Sequence, residues 1–485
     1  MSRHPLMTAY LDRARWFGGK GRDHRVTDVR RVATLPGPPA VTIDIVTVRY
    51  PDGSEELYQL PLAHYPEPQE RITHALVGPH TDDALGSVHS YDAVHDREAM
   101  AVYLRAFAAT APEDTSRVGG LVFHRIAEHE LDTETHSTLF SGEQSNSSVA
   151  FGDDSLLKVF RKVTPGSNPD IEVHRELTRA GSPHVAALYG WAETDEGTSA
   201  EPIDLAMIQQ FLRTASDGWD LALAGVRTLL AEADELAEPR PGERLDDDEV
   251  VLRSGGDFAG ESERLGTAVA EVHEVLRDHF PTTRWGAADV AAIADGMDAR
   301  LEAQVRDLAA LVPTLALHAP ALRDVFDAVR HLDVSLTAQR VHGDLHLGQT
   351  LRVVHNWKLV DFEGEPAKPL AERVLPDSPW RDVAGMLRSF DYAARSVERD
   401  FADGAGEDAA VLSSRASAWA ERNRAAFLAG YAGSTALTDS DRVLLAAYEA
   451  DKAVYEIGYE ARNRPGWVDI PLAALARLTG SGEDT

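Results

Sequence analysis

The chain of 485 residues contains no cysteine. This absence excludes disulfide bonds, thiolate metal sites and cysteine nucleophiles, and it fits a reducing compartment. The sequence also lacks an apolar run long enough to cross a membrane, and residues 1–7 lack the apolar core of a signal peptide. We therefore expect a cytoplasmic protein that binds no membrane.

Basic residues are scarce as well: 48 Lys and Arg stand against 79 Asp and Glu, which gives a formal net charge of −31. Such a negative field repels nucleic acid and anionic lipid, so neither is expected as a partner. It also disfavours ATP at long range, so a nucleotide site would need Mg²⁺ and a few well-placed cations. The length predicts two to four domains.

Two short motifs are the most informative part of the chain. Residues 341–349 read Val-His-Gly-Asp-Leu-His-Leu-Gly-Gln, and residues 357–364 read Trp-Lys-Leu-Val-Asp-Phe-Glu-Gly. They place Asp344 in a tight polar loop and Asp361 at the end of an apolar strand. Phosphoryl transfer requires such a pair, because one carboxylate orients or deprotonates the attacking hydroxyl and the other holds Mg²⁺. Two aspartates that merely cap turns are the alternative, but the kinase-like order of these residues argues against it.

Neighbouring residues extend this predicted site. Gln349 offers a side-chain oxygen, which is the hard donor that Mg²⁺ prefers, and Glu363 either joins the metal ligands or supports them. His346 contacts either the acceptor sugar or, through one ring nitrogen, its own loop. Asp382 interrupts the apolar stripe of the following helix, so it is a candidate brace for the loop that carries the base.

A second cluster of candidate residues lies upstream, in a predicted β-hairpin. Lys158 interrupts an apolar strand of this hairpin, where a lysine usually faces solvent. A kinase lysine in such a strand instead reaches the nucleotide phosphates and pairs with a glutamate of the next helix. Asn168-Pro169 predicts the start of that helix, which should run to about residue 180. Glu172 is the predicted partner of Lys158, with Glu176 as the alternative.

Two further segments are candidates for nucleotide contacts. Residues 142–148 offer Ser145 and Asn146 as donors to the phosphates, although a plain Asx or Ser turn explains the segment more simply. Residues 206–212 indicate a buried strand that enters a connector. There the backbone of Gln210 and Leu212 would hydrogen-bond the adenine edge.

The rest of the chain divides by its patterns. Residues 24–60 alternate as strands around a Pro-Asp-Gly-Ser turn at residues 51–54, which predicts a β-rich module without kinase chemistry. Beyond residue 218 the pattern is mostly helical, apart from a Pro- and acid-rich surface insertion at residues 238–249. Near the carboxyl end, Tyr448, Lys452, Tyr455 and Tyr459 share a helix face. A tyrosine stripe usually packs in a core, but a lysine among aromatic rings also suits a sugar pocket.

These motifs resemble those of the kinase-related phosphotransferases that include aminoglycoside phosphotransferases and choline kinases. The sequence is most similar to actinobacterial maltokinases, and this similarity spans nearly the whole chain. Besides the two aspartate motifs, it rests on Arg-Trp-Phe-Gly-Gly-Lys-Gly at residues 15–21, the region 158–172, Thr-Ala-Ser-Asp-Gly-Trp at 214–219, Gly-Gly-Asp-Phe-Ala-Gly-Glu at 255–261, and the segments 451–456 and 460–465.

The resemblance implies an α+β, bilobal protein-kinase-like fold of the aminoglycoside phosphotransferase type, with an additional β-rich amino-terminal cap. The implied domains are the cap at residues 1–90, an intermediate region at 91–137, a β-rich nucleotide-binding lobe at 138–213 and a mainly helical lobe with the sugar site at 214–485.

The resemblance also implies ATP- and Mg²⁺-dependent transfer to the anomeric hydroxyl of maltose, which gives maltose 1-phosphate for α-glucan (glycogen-like) synthesis. It further implies a monomer, with a trehalose synthase-type enzyme as the candidate partner. By this resemblance Asp344 is the base, Gln349 and Asp361 bind the metal, Lys158 holds phosphate, and Asp344, His346, Tyr392, Lys452 and Tyr455 line the sugar.

Three alternatives stay open at this point. A kinase for a single amino sugar such as glucosamine would share the phosphate machinery and differ only in the acceptor pocket. An antibiotic-modifying phosphotransferase would surround a polycation with carboxylates, which Lys452 and Arg462 argue against and Glu456 and Glu460 allow. The third alternative is that the chain is a catalytically inactive scaffold and not an enzyme.

Overall fold

The computed structural model describes residues 4–126, 128–140, 146–194, 201–236, 250–251, 254, 256–332, 335–365, 368–402 and 409–480. The acidic insertion expected at residues 238–249 lies outside these. The chain divides into two compact units, one made of residues 1–179 and 186–213 and the other of residues 180–185 and 214–485.

The first unit begins with a helix and an antiparallel sheet. The strand order is β1-β2-β3-β5-β4, and a short strand from later in the chain, β11, also pairs with β3. The central strands β2 and β3 are buried at most positions, so the two alternating sets of side chains pack into two apolar clusters, one on each face of the sheet. The elements are α1 (His4–Leu11), β1 (Arg25–Leu35), β2 (Ala40–Arg49), β3 (Glu55–Tyr65), β4 (Leu76–Asp82), β5 (Gly86–Asp92) and α2 (Arg97–Ala108).

The turn between β2 and β3 forms where the sequence predicts it. Arg49 pairs with Glu55, and the backbone N–H of Tyr50 donates to the carbonyl of Ser54 at 2.9 Å. Gly53 has a φ of +87°, a conformation that glycine adopts without steric cost. The predicted hairpin is therefore confirmed.

A second antiparallel sheet completes the first unit, with the strand order β6-β7-β12-β13-β10-β9-β8. Helix α3 lies between its strands in sequence and begins as predicted, because the Asn168 side chain accepts from the N–H of Asp170 at 2.8 Å. The elements are β6 (Thr115–Val118), β7 (Leu121–Arg125), β8 (Ser137–Leu139), β9 (Asn146–Phe151), β10 (Ser155–Phe160), β11 (Lys162–Val163), α3 (Pro169–Arg179), β12 (Leu188–Thr194) and β13 (Ile203–Gln210).

The second unit is mainly helical, with two small sheets of order β14-β17-β18 and β15-β16. Its elements are β14 (Ser216–Asp217), α4 (Gly218–Leu236), α5 (Ala259–His279), β15 (Thr283–Trp285), α6 (Ala287–Asp307), α7 (Leu315–Arg330), β16 (Leu336–Ala338), β17 (Thr350–Arg352), β18 (Trp357–Leu359), α8 (Leu370–Arg373), α9 (Trp380–Ala402), α10 (Ala409–Ala432), α11 (Asp439–Asn463) and α12 (Asp469–Leu478).

Helix α9 carries the predicted apolar stripe into the core of this unit. Val383, Met386, Leu387 and Phe390 are fully buried. Their spacing of three and four residues places them on one face of the helix, so burial of that face fixes how α9 lies under the motif loops. The same helix supplies the buried Asp382.

Candidate active site

The loop that carries Asp344 is fixed by a buried carboxylate. Asp382 accepts hydrogen bonds from the backbone N–H groups of His342, at 2.7 Å, and Gly343, at 2.8 Å. Nε2 of His273 lies 3.0 Å from the same carboxylate. Burial raises the pKa of Asp382, but the hydrogen bond and charge of His273 outweigh it, so the pKa is lowered. The predicted brace is confirmed.

A histidine joins this loop to the second motif. Nε2 of His342 donates to the carbonyl of Val360 at 3.0 Å, while its Nδ1 accepts from the N–H of Asp344 at 3.4 Å. The loops also approach each other at two glycines of positive φ, because a Cβ on Gly343 would lie only 3.4 Å from the Cα of Gly364. The two motif loops therefore lie side by side.

Gln349 and Asp361 meet at the predicted metal position. The N–H of Val360 donates to the carbonyl of Gln349 at 3.0 Å, and Nε2 of Gln349 donates to Asp361 at 3.3 Å. A carboxylate oxygen of Asp361 and one of Glu363 lie within 4.8 Å of each other. Two carboxylates and an amide are hard oxygen donors, so this set fits Mg²⁺.

The backbone of Asp361 is strained. Its φ of +67° lies in the left-handed region, which costs a residue other than glycine about 1–3 kcal/mol and is common at functional sites. The preceding strand is held firmly, because the carbonyl of His184 accepts from the N–H of Leu359 at 2.8 Å and Nδ1 of His184 donates to the carbonyl of Trp357 at 2.9 Å. These bonds help to fix the carboxylate in place.

Lys452, on α11, lies against the predicted base. Its Nζ donates to Oδ1 of Asp344 at 3.2 Å. Burial raises the pKa of Asp344, but the charge and hydrogen bond of Lys452, together with the charges of His346 and His342, outweigh it, so the pKa is lowered. Burial lowers the pKa of Lys452, whereas Asp344 and Glu456 raise it, with a net rise. Both groups are therefore charged at neutral pH.

A cavity of about 510 Å³ opens beside this pair in the second unit. Its charged lining is linked by ion pairs: Arg300 donates to both carboxylate oxygens of Asp451, at 2.8 and 2.7 Å, and Arg381 lies 2.9 Å from Asp377. The apolar and aromatic part of the lining includes Trp285, Ile293, Met297, Leu375, Tyr448 and Tyr455.

The predicted sugar ligands fall into two groups. Lys452 and Tyr455 line the cavity together with Asp344, and Nζ of Lys452 lies 5.4 Å from the centre of the Tyr455 ring. Among the described residues, neither His346 nor Tyr392 lines it. The structure thus brings the predicted base, the lysine and one tyrosine together.

His346 and Tyr392 have other contacts. Nδ1 of His346 accepts from the N–H of Gly348 at 3.1 Å, so one ring nitrogen fixes its own loop, and burial lowers the pKa of the ring. Tyr392 donates to Glu460 at 3.2 Å, and burial raises the pKa of its hydroxyl. A sugar role for either residue stays a prediction.

In the first unit, Lys158 points to the helix as predicted but pairs with a residue that was not singled out. Its Nζ donates to Asp170 at 2.8 Å, and Nδ1 of His174 lies 3.0 Å from the other oxygen. Burial raises the pKa of Asp170, but Lys158 and His174 outweigh it and the pKa is lowered. The charge of Glu172 helps to raise the pKa of Asp204, and the pairing of Glu172 with Lys158 stays a prediction.

The structure describes three of the four remaining candidates for nucleotide contacts. Asn146 begins β9 opposite Phe160, and Gln210 ends β13, where its N–H donates to the carbonyl of Ala187 at 2.8 Å. Leu212 follows two residues later. Ser145 lies outside the described residues. The roles of these residues toward ATP stay predictions.

Comparisons with known proteins identify relatives of this chain. Residues 10–96 match the family model described as the maltokinase N-terminal cap domain. A glucosamine kinase of Streptacidiphilus jiangxiensis is 30% identical over 351 residues, which cover 69% of this chain and 72% of that protein. A glucosamine kinase of Mycolicibacterium smegmatis is 27% identical over 361 residues, which cover 71% of this chain and 79% of that protein.

Solved structures give the fold. A glucosamine kinase in complex with glucosamine, ADP and inorganic phosphate matches with a TM-score of 0.66 and 23% identity over 97% of this chain and 98% of that chain. A second crystal form of a glucosamine kinase matches with a TM-score of 0.66 and 24% identity over 94% of each chain. The predicted fold class, a bilobal kinase-like fold with a β-rich amino-terminal cap, is confirmed.

Fold and site together define the chain as a kinase-type phosphotransferase. The chain belongs to the family of sugar kinases of the glucosamine kinase and maltokinase type, as the extent of the 30% identical relative shows. The resemblance to maltokinases is thus confirmed at the level of the family. None of the helices that the structure describes has both the length and the apolar character needed to span a membrane.

Proposed function

We propose that this sugar kinase transfers the γ-phosphoryl group of ATP to the anomeric hydroxyl of maltose in the cytoplasm, which gives maltose 1-phosphate for α-glucan synthesis. Asp344 accepts the hydroxyl proton as that oxygen attacks phosphorus and ADP leaves. Gln349, Asp361 and Glu363 would hold Mg²⁺, which supplies positive charge for the phosphate oxygens. Lys158 would contact the nucleotide phosphates.

The observation that carries the choice of maltose is the charge balance of the cavity beside Asp344. Five acidic and five basic side chains are among the described residues that line it. A neutral saccharide suits such a lining, since its hydroxyl groups can hydrogen-bond to paired charges without separating them. The ion pairs of this lining include Asp344 with Lys452, Asp377 and Glu365 with Arg381, and Asp451 with Arg300.

The size and rings of the cavity support a disaccharide. A volume of about 510 Å³ falls in the range of about 300–1,000 Å³ for small-molecule sites. Tyr455, which is 37% exposed, and Trp285 both line the cavity. Flat aromatic faces pack against the apolar faces of sugar rings.

Glucosamine is the second candidate acceptor, because the two relatives described above are named glucosamine kinases. One feature of the cavity favours it: Glu372 lines the cavity with an exposed side chain. The ammonium group of an amino sugar could pair with this carboxylate. An aminoglycoside, in contrast, would have to compete with several existing ion pairs.

The test is a panel of acceptors with purified protein, Mg²⁺ and ATP, with ADP release as the readout. We expect kcat/KM for maltose to exceed that for glucosamine, glucose and kanamycin by about tenfold or more. Phosphorus NMR should show the phosphate on the anomeric carbon of the product. A preference for glucosamine would show that glucosamine, not maltose, is the substrate. If none of the sugars stimulates ADP release, the kinase reaction is refuted.

A further inference from the structure

A fully buried arginine connects the amino-terminal sheet to the hairpin that carries Lys158. Arg161 directly follows β10 and is 0% exposed. Its Nη2 donates to both carboxylate oxygens of Asp92, at 3.0 and 2.9 Å, and its Nε donates to the hydroxyl of Ser147 at 2.8 Å. Its guanidinium carbon lies 4.6 Å from the centre of the Trp16 ring.

The far side of Asp92 is also held. The hydroxyl of Tyr10 donates to Asp92 at 2.6 Å, and the N–H of Val94 donates at 3.3 Å. Asp92 itself is 0% exposed. We call the chain of contacts Tyr10–Asp92–Arg161–Ser147 the cap tether. It gives a role to the motif at residues 15–21, which the catalytic proposal leaves unused, because Trp16 of that motif covers the guanidinium.

The tether and Lys158 occupy opposite faces of the same strand. In the hairpin, Lys158 lies opposite Ser148, and Val159 lies opposite Ser147. Side chains of a strand alternate between its faces, so Val159, Arg161 and Ser147 share the face away from Lys158. The cap tether therefore holds the back of the hairpin, and the front presents Lys158 to Asp170.

Main-chain hydrogen bonds also join this part of the hairpin to the amino-terminal sheet. The carbonyl of Arg161 accepts from the N–H of Gln59 at 2.8 Å, and the next two residues form β11, which pairs with β3. A guanidinium stays charged at any physiological pH and binds a carboxylate in a fixed planar geometry. Here one nitrogen, Nη2, reaches both oxygens of Asp92, so the contact joins Arg161 to the last residue of β5.

We propose that Arg161 is a positioning residue for the nucleotide, through which the amino-terminal cap sets the place of Lys158 and so the affinity for ATP. This inference rests on the proposed function only in that Lys158 contacts the nucleotide phosphates. The acceptor site lies in the other unit, on residues that the tether does not touch. The cap therefore acts on nucleotide binding and leaves sugar selection unchanged.

The experiment compares three variants of the tether with a matched control. Tyr10→Phe and Ser147→Ala each remove one hydroxyl of the tether, and Arg161→Lys keeps the charge but loses the planar geometry. Tyr103→Phe is the control, since the hydroxyl of Tyr103 is buried in the same unit without a hydrogen-bond partner among the described residues. For each protein we would measure the Kd for ATP with Mg²⁺ in the absence of sugar, the KM of both substrates, and Tm.

We expect Tyr10→Phe and Ser147→Ala to raise the Kd for Mg²⁺-ATP roughly fivefold or more, with a double variant that is not additive. The KM for sugar should not change, and Tyr103→Phe should bind ATP as the wild type does. The proposal fails if the tether variants bind ATP like the control, or if both KM values rise in step with a fall in Tm. A wild type that does not bind Mg²⁺-ATP would instead sink the proposed function.

Discussion

Nζ of Lys452 lies 3.2 Å from Oδ1 of Asp344, on one wall of the proposed sugar cavity. A carboxylate with such a partner stays ionised but is a weak base, because its pKa is lowered. If Asp344 is the base, as proposed, the proton of the acceptor hydroxyl would move late, when the bond to phosphorus is already forming. This order suits phosphoryl transfer, in which positioning and charge stabilisation matter more than early deprotonation.

The first prediction concerns the base. Asp344→Asn should lower kcat by about 100-fold or more, because the variant can no longer accept the hydroxyl proton. The Kd for Mg²⁺-ATP should stay within about twofold, since the base acts on the acceptor. Turnover assays and calorimetry would measure the two effects. Asp278→Asn changes an exposed carboxylate of the same unit and serves as control; turnover near the wild-type rate in Asp344→Asn would refute the assignment.

The second prediction uses the partner of the base. Lys452→Met should raise the KM for sugar more than the KM for ATP. It should also move the acid limb of kcat/KM to higher pH, because burial raises the pKa of Asp344 and the opposing charge of Lys452 would be gone. A pH profile of kcat/KM measures this shift.

Lys368→Met is the matched control for that profile. Lys368 lines the same cavity, but its Nζ lies 3.4 Å from Oε2 of Glu365 and so pairs with Glu365 and not with Asp344. Its removal should leave the acid limb in place. An unchanged sugar KM in Lys452→Met would remove Lys452 from the pocket, and an unmoved acid limb would show that another group titrates there.

The parts of the site that the sequence could predict are those that one short segment determines. Asp344, Gln349 and Asp361 belong to two neighbouring motifs and lie within 18 residues of sequence. Local hydrogen bonds bring Gln349 to Asp361. The hairpin and the start of α3 were predictable for the same reason, because a turn or a cap depends on adjacent residues.

Contacts between distant segments were not predictable. Asp170 and Glu172 are two residues apart on α3 and so point to different faces, and only the packing of the helix decides which faces Lys158. The pair of Arg300 and Asp451 joins positions 151 residues apart, for which a single sequence carries no signal. The same holds for the contact between the buried Arg161 and Asp92, which is the last residue of a strand in the first sheet.

The third prediction separates Asp170 from Glu172. Asp170→Asn removes the negative charge that lies 2.8 Å from Nζ of the buried Lys158, so the KM for ATP should rise about tenfold and Tm should fall. Glu172→Gln should change the KM for ATP by no more than about twofold. Steady-state kinetics with varied ATP would measure both variants. The reverse order of effects would restore the partner that the sequence indicated.

The last prediction concerns stability against pH. Burial raises the pKa of Asp204 to about 7, although the N–H of Asn168 donates to its carboxylate at 2.7 Å. Between the pKa of an unfolded aspartate, about 3.9, and this value, the folded state binds one more proton than the unfolded state. The free energy of unfolding must then fall as pH rises through this window, by up to about 4 kcal/mol, and level off above pH 7.

Asp204→Asn tests this directly, because the amide keeps an oxygen for the N–H of Asn168 and cannot ionise. Near pH 4 the variant should be as stable as the wild type. At higher pH its Tm should exceed that of the wild type by a margin that grows up to about pH 7. Asp23→Asn, at an exposed position of the same unit, should follow the wild type at every pH. Parallel Tm curves for Asp204→Asn and the wild type would mean that Asp204 ionises at its ordinary pKa and that its buried side chain is solvated after all.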